Sequence, residues 1–254
     1  MKKIILFLCI LFISCADNDN ENSVENSILI KKIISTNQLG NDLVYDFTYD
    51  GNKIVKIVKS DGTYNKFTYS GNVIVKHEIL YTGSDVAFQR KEFFYNSNKL
   101  IKIIYKDLEN NIGYRIQYEH VNNNLINFKK YNGDVFEQNS FSQDGFYVLE
   151  NNNVIQSNFN TIDSQGNPQV RTLNFTFDDK NTPMKNVVGY DKVAIDLSQY
   201  GIKNNFINYT ASYTGSSNVG TYNIAYIYDE NDFPASSVFT SSFNNYTENQ
   251  FFYE

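Results

Sequence analysis

Phe47-Thr48-Tyr49-Asp50-Gly51-Asn52-Lys53-Ile54-Val55-Lys56-Ile57-Val58-Lys59 reads as one hairpin. An aromatic run closes on Tyr49, Gly51 and Asn52 supply the turn, and an Ile/Val/Lys strand leaves it. Gly and Asn suit that turn because both accept positive φ. The phrase returns as Phe67-Thr68-Tyr69-Ser70-Gly71-Asn72 before Val73 to Tyr81. It returns again as Phe93-Phe94-Tyr95-Asn96-Ser97-Asn98 before Lys99 to Lys106. Phe47 and Phe67 stand 20 residues apart and Phe67 and Phe93 stand 26 apart, about one hairpin plus a variable loop. Asp61-Gly62 and Asn132-Gly133 add two more hairpin-turn signals.

Period-two alternation extends outward from these hairpins. Ile112, Tyr114, Ile116 and Tyr118 share one face, opposite Gly113, Arg115, Gln117 and Glu119. Tyr222, Ile224, Tyr226 and Tyr228 repeat the arrangement, as do Leu173, Phe175 and Phe177 against Asn174, Thr176 and Asp178. Strands with one buried and one wet face are the mark of antiparallel sheets. Parallel strands need crossovers of a dozen or more residues, for which residues 43–177 leave no room. The runs amount to a dozen strands or more, and an open sheet rarely passes roughly ten without curling or splitting. The expected fold is therefore all-β: a large antiparallel meander, strongly curled into an incomplete barrel, with a β-sandwich as the alternative. The pattern weakens between Met184 and Asn205. Asp191 to Tyr200 could form a short helix, but Val193, Ile195 and Leu197 suit a strand equally, so the segment from Met184 to Asn205 is read as a loop with one helical turn covering an end of the sheet.

Composition agrees with that class. The 254 residues include 20 Tyr, 20 Phe and 37 Asn but no Trp; aromatics favour strands and Asn favours turns. At 41% hydrophobic and 20% charged, the chain is not a disordered one. A net charge of −6 argues against nucleic acid as a partner, since neutralising phosphates takes a concentrated basic face.

Residues 1–14 read as an export signal: Lys2 and Lys3, then an apolar run from Ile4 to Ile13 too short to span a bilayer. Leu11-Phe12-Ile13-Ser14-Cys15 resembles a bacterial lipobox, with Phe12 where Leu is usual. Cys15 is thus the expected lipidation site and the membrane the expected partner through it; an ordinary signal peptide with an incidental cysteine is the alternative. Loss of Lys2 and Lys3 leaves 20 basic against 28 acidic residues, a mature charge of −8. Cys9 departs with the signal, so no disulfide is available to the folded part. Residues 15–27 form a polar tether carrying Asp17, Asp19 and Glu21, and residues 28–254 form a single β domain. Acidic residues soon after the lipidated cysteine resemble surface-displayed lipoproteins of the Bacteroides and Flavobacterium group. An outer-membrane, surface-exposed location is expected, with the periplasmic face as the alternative.

The hairpins are similar to the YD-type repeats of large secreted bacterial proteins. They resemble more closely a family of uncharacterised Bacteroidetes lipoproteins with related β-meander sequences. That likeness rests on Phe177-Asp178-Asp179-Lys180-Asn181-Thr182-Pro183-Met184, the paired Asn204-Asn205, and Tyr226-Ile227-Tyr228-Asp229-Glu230-Asn231-Asp232-Phe233-Pro234. It implies a curled antiparallel sheet over roughly residues 28–254 and brings no catalytic residue with it.

Chemistry-bearing residues are few. His77 shares the phase of Val73, Val75, Ile79 and Tyr81 and is read as a hydrogen-bonded structural histidine, while His120 is read as a solvated turn residue. Two histidines and one mature cysteine supply no metal site, no cysteine nucleophile and no Ser-His-Asp triad. No cofactor and no metal are expected. Asp178 and Asp179 are the most tempting carboxylate pair, but neighbours on a strand face opposite ways. Lys53, Lys56 and Lys59 are read as surface lysines that discourage edge pairing. The leading functional reading is a non-enzymatic, lipid-anchored envelope protein that binds a glycan, peptide or protein in an aromatic and Asn-lined concavity. A carboxylate-dependent hydrolase and a structural component of an envelope complex are the alternatives.

Overall fold

The computed structural model describes residues 27–197 and 201–254. Cys15 and the tether lie outside the described residues. Among those described are sixteen strands and one helix. The first eight strands are β1 (Ile30–Asn37), β2 (Asp42–Asp50), β3 (Lys53–Lys59), β4 (Thr63–Ser70), β5 (Val73–Tyr81), β6 (Ala87–Asn96), β7 (Lys99–Asp107) and β8 (Ile112–His120). Then come β9 (Leu125–Gly133), β10 (Ser140–Glu150), β11 (Asn153–Ile162), β12 (Pro168–Phe177) and helix α1 (Tyr190–Leu197). The last four are β13 (Phe206–Tyr213), β14 (Val219–Tyr228), β15 (Pro234–Ser241) and β16 (Tyr246–Tyr253).

Every strand pairs antiparallel with its neighbours in sequence, and β1 pairs with β16, so the sheet closes into a barrel. Ile33 opposes Phe251 across this seam, and Leu29 and Glu254 exchange backbone hydrogen bonds of 3.1 and 3.0 Å. The expected incomplete barrel and curled meander are thereby corrected, as is the sandwich. The likeness to YD-type repeats and to the meander lipoproteins falls with them. Aromatic-turn-aliphatic hairpins are a local solution that any up-and-down barrel generates, and they carry no information on whether the ends of the sheet meet. The role given to the lysines as guards of open edges also fails, because a closed barrel has none.

The recurrent hairpin now has a physical reading. A bulge opposite Thr48/Tyr49, Thr68/Tyr69 and Phe94/Tyr95 leaves Val55, Val75 and Ile101 without a register partner. The bulge resets the alternation, so Ile54, Ile74 and Leu100 turn inward and are almost fully buried. For this reason Ile74, rather than Val73 or Val75, shares the inner face with His77. The tyrosines tie adjacent hairpins together. Tyr49 Oη donates to Ile30 O at 2.8 Å, Tyr95 Oη to Ile74 O at 2.6 Å and Tyr253 Oη to Pro234 O at 2.9 Å, while Tyr69 Oη accepts from Ile54 N at 3.1 Å. These bonds supply partners where neighbouring hairpins splay; β3 pairs with β4 only from Lys56 to Val58.

The buried aromatic side chains face inward, while Phe94, Ile227 and Phe252 are among the apolar residues left exposed on the outer face. Phe47, Phe67, Phe93, Tyr118, Phe128 and Phe251 belong to one buried cluster fed by both sides of the barrel. Gly145 makes room in it: a Cβ there would lie 2.8 Å from the Phe128 ring and 1.9 Å from Asn158 O.

Residues 178–197 and 201–205, between β12 and β13, lie across the end of the barrel as a strap. Gly189, with φ +73°, passes so close to the β4–β5 turn that a Cβ would meet Asn72 O at 2.5 Å, and Val188 N donates to Asn52 O at 2.9 Å. Helix α1 follows. Tyr190, Val193 and Ala194 are buried and Leu197 packs beside them, a spacing of three, four and seven that makes one helical stripe. Asp191 in the first turn suits the helix dipole. The expected loop with one turn is thus a two-turn helix that enters the barrel, together with Met184 and Val187. Asp196 clamps it to β6 through Lys91 at 2.6 Å.

The far end of the strap is latched by Asn205, which is wholly buried. Its Nδ2 donates to Asn181 O at 2.8 Å, its backbone N–H to Asp178 Oδ1 at 3.2 Å, and Tyr228 Oη donates to Asp178. Asn204 bonds Asn153 and Lys180 O at 3.0 Å each. Asn205→Ala should therefore lower stability by about 2–3 kcal/mol, read from the urea midpoint, because it strands buried polar groups. Asn245→Ala, in the exposed β15–β16 turn, should change it by under about 0.5 kcal/mol.

Candidate functional site

The interior of the barrel is the site the fold creates. Helix α1 divides it. On the strap side, a cleft of about 560 Å³ is floored by Leu100, Ile126, Leu149, Ile195 and Ile202 and rimmed by Lys99, Lys185, Lys192 and Lys203. On the other side of the helix, the lumen holds a recess of about 150 Å³ lined by Phe47, Phe67, His77, Asn65, Ser35 and Asn249.

The recess is unusual in its polar groups. His77 occupies the register held by Ile57 and Ile103 in the neighbouring repeats, opposite Phe67 as they are opposite Phe47 and Phe93. Its ring stacks on Phe67 with centroids 4.8 Å apart. Both ring nitrogens and Asn65 Oδ1 are buried without a protein partner. The inward direction matches the sequence expectation; the expected hydrogen bond is missing. Burial, and then the charges of Lys91 and Lys59, hold the imidazole neutral down to about pH 3. His120, expected in a solvated turn, instead sits half-buried with Nε2 2.8 Å from Leu100 O.

Across the lumen from β5, strands β11 to β15 carry an aromatic wall. Phe175 lies 5.5 Å from Tyr209 between ring centroids, Tyr209 stacks on Tyr222 at 4.2 Å, and Tyr222 continues to Phe239 at 6.2 Å. These rings face inward yet are only half-buried, so this side of the lumen is open to solvent. Tyr49, Tyr95, Tyr118 and Tyr147 have hydroxyls pushed well above their ordinary range, primarily by burial. They remain neutral hydrogen-bonding groups.

Of the adjacent carboxylates Asp178 and Asp179, the first is half-buried and the second exposed. Asp178 is consumed by the strap latch, and Lys180 N–H donates to it at 2.9 Å. Among the described residues, no group of three or more His, Cys, Asp or Glu side chains gathers as metal ligands. Of the three lysines read as edge guards, Lys56 lies outside over the Tyr64 ring at 4.0 Å, whereas Lys59 opposes inward-facing Tyr45 and enters the lumen. Sequence reasoning also passed over Arg171 and Lys130. The signal was available: Arg171 shares the phase of Leu173 and Phe175, and Lys130 that of Ile126 and Phe128.

An all-antiparallel, up-and-down barrel with an inserted strap defines the structural class. Its known likenesses are of fold. The chain resembles the crystal structure of a porin-like protein from Bacteroides vulgatus with a TM-score of 0.54 at 9% identity, covering 90% of this chain and 99% of that one. It resembles a porin-like protein from Bacteroides uniformis with a TM-score of 0.50 at 9% identity, covering 89% and 98%. No family model matches the chain, and no curated protein does.

The neutral His77 makes a pH prediction. In the unfolded chain its imidazole titrates near 6.5, and in the folded barrel near 3. Between those values the unfolded state binds more protons, so this group's contribution is intact above pH 6.5 and declines as pH falls, by up to about 1.4 kcal/mol per pH unit. His77→Ile, which restores the residue of the neighbouring repeats, should remove that component. Urea midpoints of wild type and variant should diverge progressively from pH 6.5 to 4, with the variant holding its stability better; parallel curves would refute the assignment.

Proposed function

We propose that this protein is a non-enzymatic, lipid-tethered barrel of the cell envelope that receives a small ligand in its lumen. The observation that carries this reading is the polarity of the wall. Lys66, Lys76, Glu78, Arg90, Glu92, Lys102, Arg115 and Lys129 project from the outer face, since their registers alternate with the buried rings. Lys76 and Arg90 both pair with Glu78, at 3.0 and 2.8 Å. A membrane-spanning barrel is apolar outside, and each Arg or Lys at the bilayer midplane costs roughly 2–4 kcal/mol. This barrel has charges distributed along the outer face of β4 to β9, at the depth where a membrane-spanning wall would meet lipid.

The porin-like fold supports association with the outer membrane, and Cys15 supplies the means of attachment. The first described strand begins at the strap end, where Asn186 Nδ2 donates to Ile28 O at 2.9 Å. The hydrolase alternative needs two facing carboxylates in an open cleft; the lumen's aromatic wall and neutral His77 favour binding instead.

Metabolic labelling with palmitate should mark the wild type and not Cys15→Ala. The mature chain carrying Cys15→Ala, exported behind a plain secretory signal, should be recovered in the soluble fraction. It should bind the neutral fluorophore phenylnaphthylamine at one per barrel. Membrane retention of that variant would defeat the tether, and failure to bind either this probe or a charged analogue of it would defeat the lumen site.

A further inference from the structure

The charge inside the barrel is opposite in sign to the charge of the protein. Four cations face the lumen by register: Lys59 opposite Tyr45, Lys91 opposite His77, Lys130 opposite Ile116, and Arg171 opposite Phe159. Among the described residues, the only carboxylate reaching the lumen away from its rims is Asp196 of helix α1, and Lys91 takes it. Lys59, Lys130 and Arg171 form no ion pair with any described residue. The other strand carboxylates project outward or sit at the rims; Asp144, for example, opposes outward Lys129. Net charge is −6, so the basic interior is not a reflection of composition.

Two of the unpaired cations are built into the aromatic lining. Lys130 Nζ lies 4.4 Å from the centroid of the Tyr114 ring. The Arg171 guanidinium lies 6.0 Å from the Tyr213 ring, its charge opposes the upward shift of the Tyr209 hydroxyl, and its Nε is buried without a partner. An unpartnered guanidinium N–H in a sheltered place is costly, and an acceptor arriving with a ligand relieves that cost. Beside it stand the half-exposed rings of Phe175, Tyr209 and Tyr222, which pack on one another and leave their free edges to the lumen. Arg171 and Lys130 are on strands three apart, about 14–15 Å along the wall, an interval that a two-ring molecule and two long side chains bridge together.

We propose that the lumen selects an organic anion, its flat apolar body lying on the β12–β14 aromatic wall and its acidic group held by Arg171 and Lys130. This deepens the small-ligand reading given above and rests on it. The probes are anilinonaphthalene sulfonate and phenylnaphthylamine, which share their rings and differ in the charged group. The soluble Cys15→Ala protein should bind the sulfonate at one per barrel and at least tenfold tighter than the neutral compound, with the preference shrinking as salt is raised. Lys130→Met and Arg171→Met should each weaken the sulfonate severalfold and together abolish the preference, leaving the neutral probe unchanged. Lys129→Met, one residue away and facing outward, should do nothing. Equal affinity for the two probes, or equal losses in Lys129→Met and Lys130→Met, overturns the anion selectivity while leaving lumen binding in place. Failure of both probes to bind overturns the small-ligand reading itself. Should Arg171→Met fail to fold, Lys130→Met against Lys129→Met decides the matter alone.

Discussion

Sixteen strands enclose more space than their own side chains fill, and that excess governs the rest of the molecule. A barrel of about eight strands is just wide enough for its inward side chains to meet. Twice that number leaves a gap. Here the gap is managed unequally. At the end that the strap crosses, Met184, Val187, Tyr190, Val193 and Ala194 come inside and join rings of β2, β4, β6, β8, β9 and β16 in one cluster. Burying each of the larger ones contributes roughly 1.5–3 kcal/mol. Toward the other end nothing is inserted, and the rings of β12–β15 stay half-buried around open space. The site is the part of the interior that the strap does not fill.

The strap's position explains its internal economy of polar groups. Crossing the end of a barrel places backbone and side-chain polar atoms next to apolar rings, and each needs a partner. Asp178, Asn181, Asn204 and Asn205 supply those partners mutually and with Asn153 and Tyr228. The paired asparagines and Asp178, conspicuous as residues, are fittings of this strap.

Much of this was legible from residues alone, and the failures have physical causes. The hairpins at Phe47, Phe67 and Phe93 and the alternation in Ile112 to Glu119 gave strands and their antiparallel order, because both are local. Closure is not local: it depends on Ile33 meeting Phe251, and no short-range pattern contains that contact. The helix was obscured by Val193, Ile195 and Leu197, whose spacing of two hid the stripe formed by Tyr190, Val193, Ala194 and Leu197. The bulges misplaced Val75, since one extra residue inverts the alternation on its turn-side flank. Arg171 and Lys130 shared a phase with aromatic neighbours, but a cation in such a position gains meaning only once its strand is known to line a cavity.

The seam between the first and last strands has a consequence for how the chain acquires its shape. Ile30 is paired with Tyr253, almost the whole folded length away. Contacts of that separation form late, after the entropy of closing a very long loop has been met. Until β16 pairs with β1, the sheet has two bare margins, each competent to dock on a sister molecule. Completion of the ring is thus an all-or-none event tied to the arrival of the C-terminus, and a chain shortened by a single strand would present a permanent adhesive edge.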